Sequence, residues 1–435
     1  MAGEPVGGTD HRWHGFPDGA ACFPADDGGW IYVCNSEVTD LYAPNAGGVG
    51  AIRFTAAGEI ADAYWILQGS TSNCAGGPTP WGTWMSCEEP IDKLGQLWEC
   101  DPQGKAGAIA QVAMGRWRRE AAAVDPEGEA VYMTEDEPDG VLYRYLPSAY
   151  PDLALGVLEA ATVADDGTVT WGVVPNPFGV PTATKEQVAG ATRFDGAEGI
   201  WYHEGAVFFT TKGDDRVHRL DVRDQVHSII WDGDPETLGV EGAVLSGVDN
   251  ITVDAGTGDI YVAEDGGNLE VVIISAEGEV APFVRLVAEG HGGSEITGPC
   301  FNPDRSRLYF SSQRGPTPSA LAQIIPGASQ QTLNGGITYE VTGPFRGIAE
   351  TTTTTVASSD GGAEHGSGDG RDGGGVPWPA IGIGAVAVAA VAGGAMAVRR
   401  RRSEPDEPVD DEPVDDEPVD DEPVDDEPVD DEPDE

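Results

Sequence analysis

Ile260-Tyr-Val-Ala-Glu-Asp265 is a short strand of β-branched and aromatic residues that ends in two acids, and the phrase recurs along the chain. Its other copies read Trp30-Ile-Tyr-Val-Cys-Asn-Ser-Glu37, Trp84-Met-Ser-Cys-Glu-Glu89, Val131-Tyr-Met-Thr-Glu-Asp136, Val207-Phe-Phe-Thr-Thr211 and Leu308-Tyr-Phe-Ser-Ser312. Most copies lie near fifty residues apart, and the one longer interval takes in a Pro/Gly-rich stretch around 174–180. Repeats of about 40 to 50 residues, each with about four strands, are the signature of a β-propeller. A single blade cannot bury its own faces, so neighbours stack in a ring. The predicted fold is therefore all-β, a six-bladed β-propeller; a β-sandwich is the rival, but it leaves the interval unexplained. The 61 glycines and 32 prolines suit many short strands with frequent reversals.

In a propeller, equivalent strands end at one level around the axis. Glu37, Glu88, Glu89, Glu135, Asp136, Glu264 and Asp265 are then expected to crowd one mouth of the channel. Carboxylates at such range repel and raise each other's pKa, so the pattern calls for cations. The stretch Ser72-Asn-Cys-Ala-Gly-Gly-Pro-Thr-Pro-Trp-Gly-Thr-Trp-Met-Ser-Cys-Glu-Glu89 adds a thiol on a backbone that glycine and proline force into a tight, irregular path. It reads as a metal-ligand loop. Neighbouring residues of a strand point to opposite faces, so one of the pair Glu88 and Glu89 is expected to ligate; Glu89 is favoured and Glu88 is expected to face solvent.

The formal net charge is −51, from 75 acids and 24 bases. The tail over 404–435 holds 20 of those acids and no base, yet the remainder is still strongly acidic. This argues against nucleic-acid binding and suits either bound cations or a high-salt habitat. Six cysteines are too few for a disulfide scaffold. Cys22 and Cys34 flank two adjoining strands and are read either as a cross-strand bridge or as two buried thiols. The seven histidines show no zinc spacing and are assigned no role.

The domain reading places the propeller at 1–349 and a Thr/Ser/Gly/Asp-rich, disordered linker at 350–379. Residues 380–398 are nineteen uncharged residues, read as one C-terminal transmembrane helix. The Arg cluster 399–402 follows, and then a low-complexity acidic tail of Glu-Pro-Val-Asp-Asp repeats to 435, too charged and proline-rich to fold. The positive-inside rule predicts a single-pass protein of the cell membrane, with the globular domain extracytoplasmic and the tail cytoplasmic. The tail is a spacer or an adaptor for a basic partner. Residues 1–19 lack the apolar core of a signal peptide, so export is expected to rest on sequence upstream or on the C-terminal segment.

Several motifs then carry a family resemblance. Asn73-Cys-Ala-Gly-Gly77, Thr79-Pro-Trp-Gly-Thr-Trp84, Cys87-Glu-Glu89, Glu120-Ala-Ala-Ala-Val-Asp-Pro126, Glu135-Asp136, Asp249-Asn250, Glu264-Asp-Gly-Gly267 and Gly298-Pro-Cys-Phe301 occur in that order. Over roughly residues 18–314 the chain resembles the PhoX-type alkaline phosphatases, six-bladed propellers with a cluster of iron and calcium. The resemblance implies an iron ligand at Cys74 and a metal ligand at Glu89. It implies further iron ligands at Glu120 and Glu198, which match the acids of the family's His-Glu-Ala and Arg-Pro-Glu-Gly motifs. A thiolate among carboxylates suits a transition metal. The oxygens of Glu37, Glu135, Asp136, Asp249, Asn250, Glu264 and Asp265 are of the kind calcium takes.

Two of those motifs are altered, to Arg119-Glu120-Ala121 and Gly196-Ala197-Glu198-Gly199. In the family the arginine before the second acid helps to hold phosphate, and Gly196 stands in its place. Arg118, Arg119 and Arg193 are the candidates to bind substrate instead. The expected activity is hydrolysis of a small-molecule phosphomonoester, a phosphoric-ester hydrolase dependent on iron and calcium. The alternatives are a non-catalytic, calcium-stabilised propeller that displays a binding surface, and a lactonase-like or other metal-hydrolase propeller.

Overall fold

The computed structural model of the chain describes residues 1–347 apart from 92–93, 234–242, 326 and 330–331. The chain divides into two units, Met1–Ala389 and Ala390–Glu435. The expected linker, apolar span and acidic tail all lie outside the described residues. Within those residues, no helix is long and apolar enough to cross a membrane.

Six antiparallel sheets follow one another along the chain. The first is β1 (Pro17–Pro24), β2 (Trp30–Ser36), β3 (Gly47–Phe54) and β4 (Ile60–Ser70); the second is β5 (Asn73–Pro78), β6 (Trp84–Glu88), β7 (Leu97–Cys100) and β8 (Ile109–Ala110). The third has five strands, β9 (Arg119–Asp125), β10 (Ala130–Glu135), β11 (Tyr143–Ala149), β12 (Asp152–Val163) and β13 (Val169–Val173). The fourth is β14 (Ala197–His203), β15 (Ala206–Thr211), β16 (Arg216–Asp221) and β17 (Val226–Asp232), and the fifth is β18 (Val248–Val253), β19 (Ile260–Glu264), β20 (Glu270–Ile274) and β21 (Val280–Arg285). The sixth has three strands among the described residues, β22 (Ile296–Phe301), β23 (Arg307–Ser312) and β24 (Ile337–Thr342). This is the six-bladed propeller that the repeat predicts, and the sandwich is set aside.

Each repeated phrase is the second strand of its blade, and its composition has a physical cause. Both faces of that strand are buried, so it reads as a nearly continuous apolar run. On β19, Ile260 and Val262 pack toward the fourth blade, whereas Tyr261 and Ala263 pack toward the sixth. On β2, Trp30, Tyr32 and Cys34 face the sixth blade while Ile31 and Val33 face the second. Six apolar clusters result, one at each interface between blades. Each large side chain so buried contributes about 1.5–3 kcal/mol.

The ring closes where the first blade meets the last. Thr297 Oγ1 donates to the Pro17 carbonyl at 2.8 Å, and Trp30 Nε1 donates to the Tyr309 hydroxyl at 3.2 Å. All six cysteines are free. Cys22 pairs across the sheet with Tyr32 and Cys34 with Ala20, so the two thiols are never opposite each other and no bridge joins them.

The innermost strands approach closely because their residues are small. A Cβ on Gly19 would lie 2.5 Å from the Ala75 Cα, and one on Gly199 would lie 2.7 Å from the Ile251 nitrogen. Beside these contacts the inner pairing is irregular: the register between first and second strands shifts between Pro17 and Ala20, Asn73 and Gly76, Arg119 and Ala122, Ala197 and Ile200, Val248 and Ile251, and Thr297 and Cys300. Such bulges re-aim side chains. All six inner strands therefore break pairing at the same level, and that level is one mouth of the ring.

Candidate metal centre

Two rings of side chains meet at this mouth. The second residue of each innermost strand supplies Asp18, Cys74, Glu120, Glu198, Asp249 and Thr297. The residue just after each second strand supplies Glu37, Glu89, Asp136, Lys212, Asp265 and Gln313. Among the described residues, four sets of donors have ligand atoms within 4.8 Å of one another: Asp18, Glu37 and Cys74; Cys74, Glu89 and Glu120; Glu120, Glu198 and Asp249; and Asp249, Asp265 and Glu295. The sets share members, so they form one connected arc across the mouth.

Strand alternation separates adjacent acids that look alike in sequence. Glu88, Glu135 and Glu264 are the last residues of β6, β10 and β19, and each turns away from the mouth to tie down the loop that follows. Glu88, expected to face solvent, is instead buried, accepting from Trp98 Nε1 at 2.9 Å and the Gln96 amide at 3.2 Å. Glu135 accepts from the Tyr143 hydroxyl at 2.9 Å and the Val141 amide at 3.2 Å. Glu264 accepts from the Ser246 and Glu270 amides, both at 3.1 Å. Burial pushes Glu135 and Glu264 up to about 7. Neither belongs to the four donor sets. Asn250 lies beside Asp249, donating to it at 2.8 Å and accepting the Gly298 amide at 2.7 Å. Asp136 lies at the mouth but is held by Arg118 at 3.1 Å.

The donor sets are short of hydrogen. Glu120 is fully buried and neither of its oxygens has a hydrogen-bond partner; Asp18 Oδ1 has none either. Cys74 donates from Sγ to Asp18 Oδ2 at 3.6 Å. Burial drives the Glu120 carboxyl far above its usual range, and the charges of Glu198, Glu89, Asp249 and Asp18 push it the same way. Burial likewise raises Cys74, with Asp18 and Glu120 adding to the shift. Burial lifts Glu295 to about 8, with Arg314 opposing and Asp265 and Glu37 assisting. An unpartnered buried carboxylate needs a proton or a cation. The residues present therefore fit metal ions: a sulfur-and-oxygen set at Cys74, Glu89 and Glu120, and oxygen-only sets at Glu120, Glu198 and Asp249 and at Asp249, Asp265 and Glu295.

Among the described residues, three cations border the arc. Arg118 is paired with Glu89 and, at 3.1 Å, with Asp136. Lys212 Nζ lies 2.6 Å from Glu198 and 3.2 Å from Asp265, and Arg314 lies 3.0 Å from Glu295. The other two arginines proposed from sequence are elsewhere. Arg119 is buried, donates to the Met114 and Gly115 carbonyls at 3.0 Å and stacks on Trp117 at 3.8 Å. Arg193 donates to the Asp139 carbonyl at 2.9 Å and pairs with Glu186 at 3.0 Å on the surface.

Of the residues expected at the site, Cys74, Glu89, Glu120, Glu198, Glu37, Asp249 and Asp265 are brought together. Sequence reasoning missed Asp18, Glu295, Lys212, Gln313 and Arg314. A signal for Asp18 was present: it lies fourteen residues ahead of Tyr32, as Glu120 lies twelve ahead of Tyr132 and Asp249 twelve ahead of Tyr261. Phasing the repeat on the preceding strand exposes it.

The family model for alkaline phosphatase PhoX matches residues 37–315. Among solved structures, the chain is similar to a Pseudomonas fluorescens PhoX in complex with vanadate, a transition state analogue, at 17% identity and a TM-score of 0.60, over 76% of this chain and 89% of that one. It is also similar to a gluconolactonase from Xanthomonas campestris at 14% identity and a TM-score of 0.42, over 68% of this chain and 83% of that one. Comparison with curated protein sequences finds no match.

Proposed function

The chain belongs to the alkaline phosphatase PhoX family, and from that premise we propose that it hydrolyses phosphomonoesters at the propeller mouth in a metal-dependent reaction. The observation that carries this reading is the arc of overlapping donor sets with the buried, unpartnered Glu120 at its centre. Iron is proposed at Cys74, Glu89, Glu120 and Glu198, and calcium at the oxygen-only set of Asp249, Asp265 and Glu295. Bound there, the ions would act as Lewis acids on the phosphoryl group. The chain itself supplies the anionic frame, the bulges that aim it, and the flanking cations Arg118, Lys212 and Arg314 that favour an anionic substrate over a neutral one.

The test is phosphate release from p-nitrophenyl phosphate alongside elemental analysis. Wild type should carry iron and calcium and lose activity on chelation, and Cys74→Ala should lose iron and turnover together. An iron-and-calcium-loaded protein that turns over no phosphoester would sink the reading.

One observation favours the non-catalytic alternative: Gly196 stands where the resemblance expects an arginine, and its φ of +62° lies in a region that side-chain-bearing residues rarely adopt. Calcium without iron would support that alternative. Attachment to a membrane through 380–398, with the propeller outside and the tail free for a basic partner, is proposed on sequence grounds. Protease accessibility of the tail in intact and opened cells tests it.

A further inference from the structure

The ring of residues that follow the second strands reads Glu37, Glu89, Asp136, Lys212, Asp265 and Gln313, so five blades place an acid or an amide where the fourth places an ammonium. A lysine does not reach this level by accident of exposure. The Lys212 amide donates to the Gly196 carbonyl at 2.8 Å, which pins the end of β15 against the segment that carries Glu198. A Cβ on Gly196 would sit 3.9 Å from the Lys212 Cβ and 3.3 Å from Asp136 Oδ1. The space that a side chain at 196 would enter is thus already flanked by the lysine stem. Arg119 and Arg193 are committed elsewhere, and Arg118 and Arg314 flank the arc beside Glu89 and Glu295, whereas Lys212 alone of the three lies against Gly196.

The partners of Lys212 decide its role. Glu198, Asp249 and Asp265 surround the ammonium, and each of them belongs to a donor set able to hold an ion. An ammonium and a divalent ion compete for the same oxygens. When ions take those oxygens, the Lys212 head on its flexible four-carbon stem is left at the mouth without these partners. The group that restores them is an anion presented to the same ions.

We propose that Lys212 is a substrate-binding residue, donating from Nζ to a phosphoryl oxygen of a phosphomonoester held at the metal-loaded mouth. The proposal rests on the functional reading above, since it requires metals at Glu198, Asp249 and Asp265 and a phosphoester as ligand. It assigns to a different strand and blade position the cationic role that Gly196 cannot fill.

The experiment measures binding of inorganic phosphate to the metal-loaded protein by calorimetry, with metal content determined on the same samples. Lys212→Ala is expected to weaken phosphate binding about 10- to 100-fold at unchanged metal content, the loss of one charge-assisted hydrogen bond. Lys212→Arg is expected to stay within about threefold of wild type, since it restores a cationic donor. Should the alanine variant fail to fold, Lys212→Met, close in shape, is read in its place. Unchanged phosphate affinity in either neutral variant overturns the proposal. A parallel loss of metal and phosphate also overturns it, because the lysine would then act by retaining ions. Wild type that binds no phosphate and releases none from p-nitrophenyl phosphate fails the functional reading itself and takes this proposal with it. Active wild type with an unaffected alanine variant fails this proposal alone.

Discussion

Glu120 shows how one side chain can be a liability in one state and an asset in another. Fully buried, with both oxygens unpartnered, it must take up a proton on folding above its ordinary pKa unless an ion arrives. Glu120→Gln needs no proton, so the metal-stripped variant should gain about 1–3 kcal/mol over wild type at pH 8. Adding metal should then stabilise it far less than it stabilises wild type. Thermal melts with and without metal read both effects, and a variant that is protected as fully as wild type would remove Glu120 from the centre. The neighbours Glu88 and Glu89 offer a sharper contrast. Glu88 spends its oxygens on Trp98 and Gln96, so Glu88→Gln should cost about 1 kcal/mol by chemical denaturation and leave metal content intact. Glu89 belongs to the set with Cys74 and Glu120, so Glu89→Gln should lower the metal-to-protein ratio. Equal metal loss in both variants would contradict the division of the pair.

At the scale of the strand, the inner ring depends on close approach. A Cβ on Gly199 would lie 2.7 Å from the Ile251 nitrogen and 2.8 Å from the Asn250 Cα, both backbone atoms that cannot step aside. Gly199→Ala should therefore cost about 1–3 kcal/mol by forcing the fourth and fifth blades apart. Gly292→Ala, where nothing lies within 4 Å, should change stability by less than about 0.5 kcal/mol. Urea denaturation of the pair checks this. The second strands were legible in sequence because burial on both faces writes an unbroken apolar run, as in Ile260 to Ala263. The inner strands were less so: Pro17 to Pro24 and Asn73 to Pro78 are built of small residues and glycine, whose value is proximity rather than hydrophobicity. That is why Asp18 went unread while Glu89 was found. The division of Glu135 from Asp136, and of Glu264 from Asp265, follows from where a strand stops, which an apolar run does not mark to the residue. Lys212 was hidden by its chemistry, because a search for ligand acids passes over a base.

Across the whole molecule, the arc couples stability to pH and to metal. In the absence of ions, Asp18, Glu89, Glu120, Glu198 and Asp249 are all raised by burial first and by mutual repulsion after it, although Lys212 opposes the shift at Glu198 and Asp249, and Glu295 stands at about 8. Below about pH 3 these acids are protonated whether the chain is folded or not, and they impose no pH dependence. As the pH rises above that, the unfolded chain releases its protons while the folded chain retains them, so the folded state binds more protons and its stability falls. For Glu295 the fall continues until about pH 8, where the folded carboxyl also titrates. The buried Glu135 and Glu264, at about 7, add to the slope in the same direction. The metal-stripped protein should thus melt at a progressively lower temperature from about pH 5 to about pH 8. Ions invert this, because they bind the deprotonated carboxylates and thiol and so displace protons, an exchange that rising pH favours. With iron and calcium supplied, the melting temperature over the same range should stay level or climb. Melts across that range with chelator and with metals test the coupling, and parallel curves in the two series would mean that the acids of the mouth do not share their oxygens with ions.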